Sequence, residues 1–472
     1  MNPSIFREYD IRGVADRDLV GELVRDLGRA IGRMVAPAVG HTVEPGRARA
    51  VVAVGRDARL TSDRLRGELV AGITDAGVDV IDVGVVPTPA LYYATFAWPL
   101  DGAVIITGSH NPAEDNGFKI LRGRASIYGD DIRALRSAIE TGAARAAVVA
   151  DGARGRVERR DVMAPYLDHA RGQLRLGPRR CRAVVDAGNG TGGPAAVELY
   201  RRLGFDVVPL YCDMDGRFPN HHPDPTVEDN LVDLRRRVAD EGAELGIALD
   251  GDADRIGAID GRGRILWGDQ LMILFGRDIA AEHPGARFIA EVKCSQALFD
   301  EIAAAGGEPI MWKVGHSLIK AKMRETGALL GGEMSGHLFF AHRYLGFDDA
   351  IYAGARLLEL LSRGSASLAE LWDTLPVMVN TPEIRVACDD DLKFEVVKRT
   401  ASRLRAHPQV VSVVDIDGVR ASFGDGWGLV RASNTQPALV LRCEAVDPAR
   451  LSQIRSAIDG TIVASKQELG AS

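Results

Sequence analysis

The N-terminal part of the chain alternates short apolar runs with segments in which apolar residues recur at helical spacing. Apolar runs of this length predict buried strands, and the helical spacing predicts amphipathic helices. The alternation predicts a mostly parallel sheet with helices on its faces. The predicted strands lie at 51–54, 79–83 and 103–106, and the predicted helices cover about 19–34 and a segment through Leu69 and Ile73.

The same pattern restarts twice further along the chain. A stretch at 147–160 that is rich in Gly, Arg and Asp, without an apolar period, separates the first block from the second. The prolines of 219–225 predict an ordered loop in the second block. The two later blocks have predicted strands at 183–186, 205–210, 245–249, 288–292, 309–313 and 328–330, and predicted helices at 195–203, 227–241, 269–282, 296–305, 317–326, 350–362 and 368–374.

The character of the sequence changes near Pro376. Strands then follow one another between a helix at 392–406 and a last helix at 449–462, and this order predicts an α+β domain. The predicted fold class is therefore α/β, with three similar α/β domains that contain mixed sheets and a C-terminal α+β domain. The predicted domain boundaries are 1–155, 156–262, 263–376 and 377–472, and the C-terminal strands are predicted at 410–416, 418–423, 428–432 and 438–445.

Composition narrows the classes of protein that fit this fold. The 472 residues carry a formal net charge of −7, which argues against a general nucleic-acid binder but allows a local basic pocket for an anionic small molecule. The five cysteines form no CxxC pair, as in a cytoplasmic protein with reduced thiols. Arg7 and Glu8 exclude the apolar core of a signal peptide, and no apolar stretch approaches the roughly 20 residues that span a bilayer. We therefore expect a cytoplasmic protein with neither a nucleic-acid nor a membrane partner.

The loop TGSHNP at 107–112 directly follows the predicted strand at 103–106 and contains Ser109. Open α/β sheets place their sites at the carboxyl ends of strands. Serine is a poor nucleophile without an activating group, and no GxSxG elbow of a hydrolase surrounds this one. Two interpretations of Ser109 stay open at this point: a turn residue, or a serine that carries a phosphoryl group whose charge is met by a cation.

The sequence DGDADR at 250–255 follows the predicted strand at 245–249. Its carboxylates stand at alternate positions and converge on one point if the backbone turns, and such oxygen ligands bind hard cations. The segment is not an EF-hand loop, because Arg255 and Gly261 stand where that motif needs Gly and Glu. Three acidic side chains directly after a buried strand favour a Mg²⁺ site, with room for a phosphate oxygen, over a solvated turn.

Two further loops carry groups that can bind sugars or phosphates. Glu333 and Ser335 alternate in GGEMSGH at 331–337, so a carboxylate and a hydroxyl can face one sugar, although a tight turn with a surface Glu fits equally well. RASNTQP at 431–437 offers an arginine, hydroxyls and backbone amides to a phosphate, or it forms an ordinary polar turn. Lys293 and His316 are isolated candidates, and lone residues of these types are more often surface or satisfied groups.

Together and in this order, the loops TGSHNP, DGDADR, GEMSGH and RASNTQP resemble those of the α-D-phosphohexomutase family. The similarity covers nearly the whole chain, from FREYDIRG at 6–13 to the loop at 431–437. Gln436 stands where many members of the family carry Glu. The methionine at position 334 resembles the residue found there in the mannose and glucose enzymes of the family. The resemblance implies four domains arranged around a central active-site cleft, which agrees with the predicted boundaries.

The resemblance also implies a role for residues in each loop. Ser109 would carry the phosphoryl group, and the metal ligands would be Ser109, Asp250, Asp252 and Asp254. The other implied catalytic residues are Lys119, Arg255, His337 and Arg12, and the implied substrate-binding residues are Tyr9, Lys293, His316, Glu333, Ser335, Arg431, Ser433, Asn434 and Thr435.

The implied reaction is a reversible phosphoryl transfer between the 1- and 6-positions of mannose or glucose phosphate. It would pass through a phosphoserine enzyme, with Mg²⁺ as cofactor and a hexose 1,6-bisphosphate as intermediate and activator. The implied partners are hexose phosphates, and the implied assembly is a monomer or homodimer. The sequence does not rank Lys119, Arg255 and His337 as the group that moves the proton.

Three other functions stay open. A phosphoglucosamine mutase would share every loop and differ in its sugar. A non-catalytic sugar-phosphate-binding protein would keep the scaffold without turnover, but the presence of Ser109 and of all three aspartates at 250–254 argues against it. A metal-dependent phosphatase would release inorganic phosphate in place of an isomerised sugar phosphate.

Overall fold

The computed structural model of the protein describes residues 1–36, 49–433 and 437–470. The chain divides into two compact units, and each of them is built from two segments. The first unit consists of Met1–Leu271 and Ser335–Asp373, and the second unit consists of Met272–Met334 and Thr374–Ser472. Within the described residues, no helix is both long enough and apolar enough to cross a lipid bilayer.

The first 160 residues form a mixed sheet with helices packed against it. The elements are β1 (Ile11–Val14), α1 (Ala15–Asp18), α2 (Gly21–Val35), β2 (Val51–Arg56), α3 (Ser62–Asp75), β3 (Asp79–Val85), α4 (Thr88–Ala97), β4 (Gly102–Ile106), β5 (Asp115–Arg122), β6 (Ala125–Ser126), α5 (Asp130–Glu140) and β7 (Val157–Arg159). The strand order is β1-β5-β4-β2-β3-β7, with β6 beside β5. Strands β4, β2, β3 and β7 are parallel, whereas β5 runs antiparallel to β4 and β1. All residues of β4 are buried, as expected of a central strand, and its carboxyl end leads into the serine loop.

The next block of the first unit forms a second mixed sheet. Its elements are α6 (Met163–Gly172), β8 (Arg182–Asp186), α7 (Gly192–Arg202), β9 (Asp206–Leu210), α8 (Val232–Asp240), β10 (Leu245–Leu249), β11 (Ile256–Asp260) and β12 (Ile265–Leu266). The strand order is β12-β11-β10-β8-β9. Strands β10, β8 and β9 are parallel, and β11 returns antiparallel to β10. The turn from β10 to β11 is the aspartate loop.

Residues 268–373 contribute to both units. Their elements are α9 (Gly268–Glu282), β13 (Arg287–Glu291), α10 (Gln296–Ala304), β14 (Glu308–Trp312), α11 (His316–Thr326), β15 (Leu330–Gly332), β16 (Leu338–Phe340), α12 (Ala350–Arg363) and α13 (Leu368–Trp372). In the second unit, β13 pairs in parallel with β14 and with β15. In the first unit, α12 packs on α7, β10 and β11 and is buried along most of its length.

The C-terminal segment forms an antiparallel sheet covered by two long helices. Its elements are β17 (Val379–Asn380), β18 (Ile384–Ala387), α14 (Lys393–Arg405), β19 (Ser412–Val414), β20 (Val419–Ser422), β21 (Gly426–Ala432), β22 (Ala438–Ala445) and α15 (Pro448–Leu469). The strand order is β17-β22-β21-β20-β19, and β18 also pairs with β22. Apolar residues of α14 and α15 pack with those of the sheet into one core, which includes Val396, Leu404, Leu441 and Ile458.

The predicted fold class is confirmed, since mixed sheets with helices precede a C-terminal α+β segment. Several elements differ in extent from the predictions. The helix predicted at 227–241 begins only at Val232, after a 3₁₀ turn at Glu228–Leu231. The last helix continues to Leu469. Strand β7 joins the first sheet beyond residue 155, where the first domain was predicted to end.

Candidate active site

Ser109 lies in the loop that follows the central strand β4. Its side chain is buried, and its backbone has a φ of 49°, in the left-handed region that residues other than glycine seldom adopt. The backbone N–H of Ser109 donates to Oγ1 of Thr107 at 2.8 Å, and its Oγ donates to Oδ2 of Asp250 at 2.8 Å. The hydroxyl therefore points at the aspartate loop and not at solvent.

The aspartate loop gathers three buried carboxylates at the turn between β10 and β11. Ala253 has a φ of 59°, and this tight turn brings alternate side chains to one side. The backbone N–H groups of Asp254 and Arg255 donate to Oδ1 of Asp250 at 3.1 and 3.2 Å. One oxygen from each of Asp250, Asp252 and Asp254 lies within 4.8 Å of the others. The convergence predicted from the alternate spacing is thus present.

The serine and aspartate loops approach each other through Gly251. A Cβ atom at this position would collide with the carbonyl oxygen of Ser109, so only glycine permits the approach. The carbonyl of Gly251 accepts from the backbone N–H of Thr191 at 3.0 Å, and a Cβ on Gly190 would lie 2.6 Å from the same oxygen. The glycine-rich turn before α7 therefore supports the aspartate loop, a role for which the sequence offered no signal beyond its glycines.

Lys119 places an ammonium group against these carboxylates. It lies on β5 opposite Ile105, and its Nζ donates to Oδ2 of Asp252 at 2.6 Å and to Asp254. Burial alone would lower the pKa of Lys119, but the charges of Asp252, Asp254 and Asp250 raise it above the usual range of lysine. Lys119 is therefore held in its charged form.

The carboxylates of the loop differ in their affinity for protons. Burial, together with the charges of Asp254 and Asp252, raises the pKa of Asp250 well above its usual value. For Asp254, burial acts in the same direction, but Lys119 and His337 hold its pKa well below the usual value. Lys119 and Arg255 are thus the cations that oppose the negative charges of these three buried acids.

The residues of this cluster fit a divalent metal ion. Carboxylate oxygens are the ligands that Mg²⁺ prefers, and few protein ligands suffice when phosphate and water complete the shell. Oδ1 of Asp252 is buried and has no hydrogen-bond partner among the residues that the structure describes. An orphaned acceptor of this kind is costly unless a cation or water satisfies it. Asp250, Asp252 and Asp254 could therefore hold Mg²⁺, with an oxygen of Ser109 beside them.

His337 and Arg255 lie on the other side of Asp254. The two residues form a single β-bridge, and Nε of Arg255 donates to Nε2 of His337 at 3.3 Å. The same Nε2 lies 3.3 Å from Oδ1 of Asp254, and Oγ of Ser335 lies 3.3 Å from Nδ1 of His337. Asp348, which the sequence did not indicate, is buried and forms a compact group with Asp254 and His337.

Arg12 contacts the serine loop from β1. Its guanidinium donates to Oδ1 of Asn111 at 2.8 Å and to Oδ2 of Asp10 at 2.7 Å. Tyr9 is half-buried on the segment before β1. Of the predicted residues, the first unit thus brings together Ser109, Lys119, the three aspartates, Arg255, Ser335 and His337, with Arg12 on the edge of the same loop.

The second unit gathers a separate group of charged residues. Lys293 donates through Nζ to Oε2 of Glu383 at 3.3 Å, and Oε2 of Glu291 accepts from its backbone N–H at 2.6 Å. Burial would lower the pKa of Lys293, but Glu291, Glu383 and Glu333 raise it. Oε1 of Glu333 accepts from the N–H of Gly315 at 2.7 Å, directly before His316. Glu333, Lys293 and the loop of His316 therefore belong to one charged site.

The predicted phosphate loop is described only in part. Arg431 is buried at the end of β21 and pairs with Oδ2 of Asp417 at 3.3 Å, and its Nε has no hydrogen-bond partner within the described part of the chain. The backbone N–H of Ser433 donates to the carbonyl of Ala438 at 2.9 Å. Asn434 and Thr435 lie outside the described residues. Arg431 thus keeps a donor available for an anion.

Three residues around Ser109 were not anticipated from the sequence. Arg59 donates to the carbonyl of Ser109, and Thr88 donates through Oγ1 to Asp252 at 2.6 Å. Nδ1 of His110 lies 3.1 Å from Oγ of Ser109, and burial, with the charges of Arg255 and Arg12, lowers the pKa of His110 well below its usual value. Position 110 lies within the TGSHNP motif, whereas nothing in the local sequence marks positions 59 and 88.

Comparison with known proteins gives the same assignment for every block of the chain. Four family models match: Phosphoglucomutase/phosphomannomutase alpha/beta/alpha domain I at 3–146, domain II at 164–263, domain III at 267–378 and the C-terminal domain at 383–461. The chain is 44% identical over 453 residues to a phosphomannomutase/phosphoglucomutase of Pseudomonas aeruginosa, covering 96% of this chain and 94% of the relative. It is 42% identical over 459 residues to a phosphoglucomutase of Neisseria gonorrhoeae, covering 97% and 96%.

A solved structure agrees with these relatives. The crystal structure of a phosphoglucomutase/phosphomannomutase family protein from Burkholderia thailandensis superposes with a TM-score of 0.88 at 42% identity, covering 98% of both chains. The chain therefore belongs to the phosphoglucomutase/phosphomannomutase family. As a phosphohexomutase it is an isomerase of carbohydrate metabolism.

Proposed function

We propose that the enzyme moves a phosphoryl group reversibly between the 1- and 6-positions of a hexose phosphate, with Ser109 as the carrier. Phosphorylated Ser109 gives its phosphoryl group to the free hydroxyl of the sugar, which forms a hexose 1,6-bisphosphate. The bisphosphate then returns its other phosphoryl group to Ser109. The same bisphosphate reactivates an enzyme whose serine has lost its phosphate.

One observation carries the proposal. Oγ of Ser109 donates a 2.8 Å hydrogen bond into a buried cluster of three carboxylates and one ammonium. A serine that serves only as a turn residue has no need of such surroundings, whereas a serine that gives and takes a phosphoryl group needs charges arranged around it. The left-handed backbone of Ser109 is the kind of local strain that clusters at functional sites.

Asp250, Asp252 and Asp254 would hold Mg²⁺ next to Ser109. When bound, the cation supplies charge neutralisation at the phosphoryl oxygens. Lys119 contributes a further positive charge, because its carboxylate neighbours keep it protonated. Arg12 lies against the serine loop and would keep this loop in place through Asn111.

Each transfer breaks one phosphorus–oxygen bond and forms another, while the attacking hydroxyl loses a proton and the leaving oxygen gains one. Lys119 is held as an ammonium, and arginine does not deprotonate in proteins, so neither Lys119 nor Arg255 suits the role of base. Histidine changes its charge near neutral pH. We therefore assign the proton transfer to His337, which lies 3.3 Å from Ser335 Oγ and from Asp254.

A further set of residues is proposed to bind the part of the substrate that does not react. Arg431, whose buried Nε has no partner among the described residues, and Ser433 would hold the other phosphate, together with Asn434 and Thr435. Lys293 and His316 would add positive charge or hydrogen bonds. Glu333 and Ser335 would accept and donate hydrogen bonds to sugar hydroxyls in either orientation, and Tyr9 is the remaining proposed substrate-binding residue.

Mannose and glucose phosphates are the proposed substrates, because the relatives compared above are named phosphomannomutase/phosphoglucomutase and phosphoglucomutase. We propose four domains at 1–155, 156–262, 263–376 and 377–472, with the first boundary moved to follow β7, because that strand belongs to the first sheet. The proposed assembly is a monomer or homodimer. None of the five cysteines, all at described positions, forms a disulfide, which supports a cytoplasmic location.

Mass spectrometry and one variant test the carrier. Purified protein is expected to contain a phosphate on Ser109, and Ser109→Ala is expected to lose mutase activity with glucose 1-phosphate by several orders of magnitude. Ser137→Ala, at an exposed position of α5, is the control and is expected to keep full activity. Full activity of Ser109→Ala would refute the mechanism.

A comparison of substrates tests the preference for mannose and glucose. Mannose 1-phosphate, glucose 1-phosphate and glucosamine 1-phosphate would be assayed side by side with a bisphosphate primer. Higher kcat/KM with the first two supports the proposal, and higher kcat/KM with glucosamine 1-phosphate would replace it. Release of inorganic phosphate without isomerised sugar phosphate would indicate a phosphatase.

A further inference from the structure

Arg59 fills the space beneath the serine loop with a fully buried guanidinium. It follows β2, and its side chain is 0% exposed. Its Nε donates to Oδ2 of Asp57 at 3.1 Å. The same carboxylate of Asp57 accepts from the backbone N–H of Gly108 at 3.1 Å, so Asp57 also ties β2 to the serine loop.

The other donors of Arg59 are directed at backbone carbonyls of the serine loop and of Asp115, the first residue of β5. One terminal nitrogen donates to the carbonyls of Ser109 at 2.9 Å and of Asn111 at 2.6 Å. The other donates to the carbonyl of Asp115 at 2.9 Å and to that of Pro112. A guanidinium has five N–H donors. All five are therefore used, three of them on the serine loop and one on Asp115 at the start of β5.

This arrangement explains how the loop keeps its conformation. Left-handed backbone at a residue such as Ser109 persists only where the surroundings determine it. The carbonyls of Ser109, Asn111, Pro112 and Asp115 converge on one point, and buried carbonyls that point together need a donor that serves them all. The planar fork of arginine can reach four such acceptors, whereas the single nitrogen of lysine cannot.

The loop in turn leaves room for the guanidinium. A Cβ atom on Gly108 would collide with Cζ of Arg59, although the backbone of Gly108 is otherwise open to alanine. Cζ of the same guanidinium lies 5.0 Å from the ring centroid of Phe218. The glycine of TGSHNP thus accommodates an arginine that lies about 50 residues earlier in the chain.

We propose that Arg59 is the positioning residue of the phosphoryl carrier, and that Gly108 is glycine in order to admit it. Arg59 touches the carbonyl of Ser109 and acts on its Oγ only through the backbone. This inference rests on the proposed role of Ser109. A displacement of about 1 Å at a reacting group costs on the order of 100-fold in rate, so fixing the loop affects turnover more than substrate binding.

Two substitutions test the contact from its two sides. Arg59→Lys keeps the charge but loses the fork, and Gly108→Ala pushes a methyl group into the guanidinium. Both are expected to lower kcat by roughly 100-fold and to leave KM for glucose 1-phosphate within about threefold. The rate at which glucose 1,6-bisphosphate phosphorylates Ser109, followed by intact mass, is expected to fall in parallel with kcat.

Arg25→Lys is the matched control, because Arg25 pairs with the buried Asp75 in the same unit at 2.9 Å and does not touch the serine loop. It is expected to keep kcat even if its melting temperature falls. If Arg59→Lys does not fold, the kinetics of Gly108→Ala decide whether the inference stands. The inference is overturned if the folded variants keep kcat within threefold of the wild type, or if kcat and KM change together.

The same experiment separates this inference from the proposed function. An active Ser109→Ala variant would refute the serine carrier, and with it the role of Arg59. An inactive Ser109→Ala variant beside fully active Arg59→Lys and Gly108→Ala variants would leave the carrier intact and refute only the positioning role.

Discussion

The charges around Ser109 show how single residues decide what a buried site can do. Asp250 and Asp254 lie in the same loop, yet the pKa of one is raised and that of the other is lowered, because Lys119 and His337 face Asp254. Charges in low-dielectric surroundings are stable only when paired. The convergence of three buried carboxylates is what suits this site to a divalent cation.

Asp252 is the residue through which metal binding can be tested. We expect Asp252→Asn to weaken Mg²⁺ binding by at least tenfold, since loss of even an outer-shell partner typically costs 10- to 100-fold. Titration with Mn²⁺ followed by electron paramagnetic resonance measures this affinity without turnover. Activity is expected to fall as well, and excess Mg²⁺ is expected to restore part of it.

Asp240→Asn is the control for this experiment, because Asp240 is exposed at the end of α8. It is expected to leave the affinity for Mn²⁺ unchanged. Wild-type affinity in Asp252→Asn would contradict the assignment of this carboxylate as a ligand.

Asp349, a buried acid outside the aspartate loop, is expected to make the stability of the first unit depend on pH. Asp349 caps α12 and accepts from the hydroxyls of Tyr166 at 3.0 Å and Tyr344 at 2.8 Å. Burial raises its pKa to about 6. A carboxyl whose pKa is higher in the folded state than in the unfolded chain binds its proton more tightly when folded, so stability decreases as pH rises from about 4 to about 6.

The size of this effect is on the order of 3 kcal/mol for a shift of about two pKa units. Asn caps helices as well as Asp does, so we expect Asp349→Asn to lack this decrease while keeping α12. Melting temperatures of the two proteins between pH 4 and 7 measure the difference. Tyr344→Phe removes one hydrogen bond to the carboxylate and is expected to extend the decrease to higher pH. Parallel curves for all three proteins would refute this account.

At the scale of elements, the sequence predicted the bounds of strands most accurately where one physical signal, a run of apolar residues, dominated. The strands β2, β4 and β10 consist mostly of buried apolar residues, and they were placed within two residues of their bounds. Strand β5 was missed, because neighbouring residues in it serve different purposes, and the spacing of apolar residues does not reveal such a strand. Lys119 points to the carboxylates, whereas Phe118 packs in the core.

The loops show the same limit of prediction from sequence. Ser109 and the aspartates were found because their residue types carry chemistry in the sequence itself. Arg59 and Thr88 were not, because their roles depend on a contact with a loop far away in the chain. Helix α4 was also missed, although Pro89 lies in its first turn, where proline is well tolerated.

Two helical glycines illustrate how packing overrides helix propensity. In α12, a Cβ on Gly354 would collide with the hydroxyl of Tyr200, which donates to the carbonyl of Ile351 at 2.9 Å. In α15, a Cβ on Gly460 meets nothing within 4 Å. The two positions therefore form a matched pair for the same substitution.

We expect Gly354→Ala to destabilise the protein by about 1–2 kcal/mol, because overpacking costs more than alanine gains in a helix. Gly460→Ala is expected to stabilise it by about 0.5–1 kcal/mol. Urea unfolding measures both changes. Equal effects of the two substitutions would show that the collision at Tyr200 is relieved at no cost.

At the scale of the whole molecule, the second unit is assembled from segments that are far apart in sequence. Arg420 donates to the carbonyls of Val292 at 2.7 Å and of Cys294 at 2.8 Å, and lies 3.8 Å from the ring centroid of Trp427. Trp427 and Leu429 form a small core with Val292. The C-terminal segment therefore has one core of its own and another that it shares with residues 272–334.

This division predicts the behaviour of an isolated fragment. Residues 377–472 contain Trp427 as their one tryptophan. We expect this fragment to fold around its own core but to expose Trp427, with red-shifted emission and strong quenching by acrylamide. A chain that joins 272–334, with Trp312→Phe, to 374–472 through a flexible linker is the control, and its Trp427 emission is expected to be blue-shifted. A shielded Trp427 in the isolated fragment would contradict the shared core.

The shared core also means that its two parts are synthesised at different times during translation. A ribosome completes Val292 and Cys294 about 130 residues before it completes Arg420 and Trp427, which is on the order of ten seconds at typical elongation rates. During that interval the nascent segment exposes an apolar patch and two carbonyls whose partner is not yet made. Slow translation beyond residue 334 is therefore expected to favour aggregation, and chaperones that shield nascent chains are expected to raise the yield of folded enzyme.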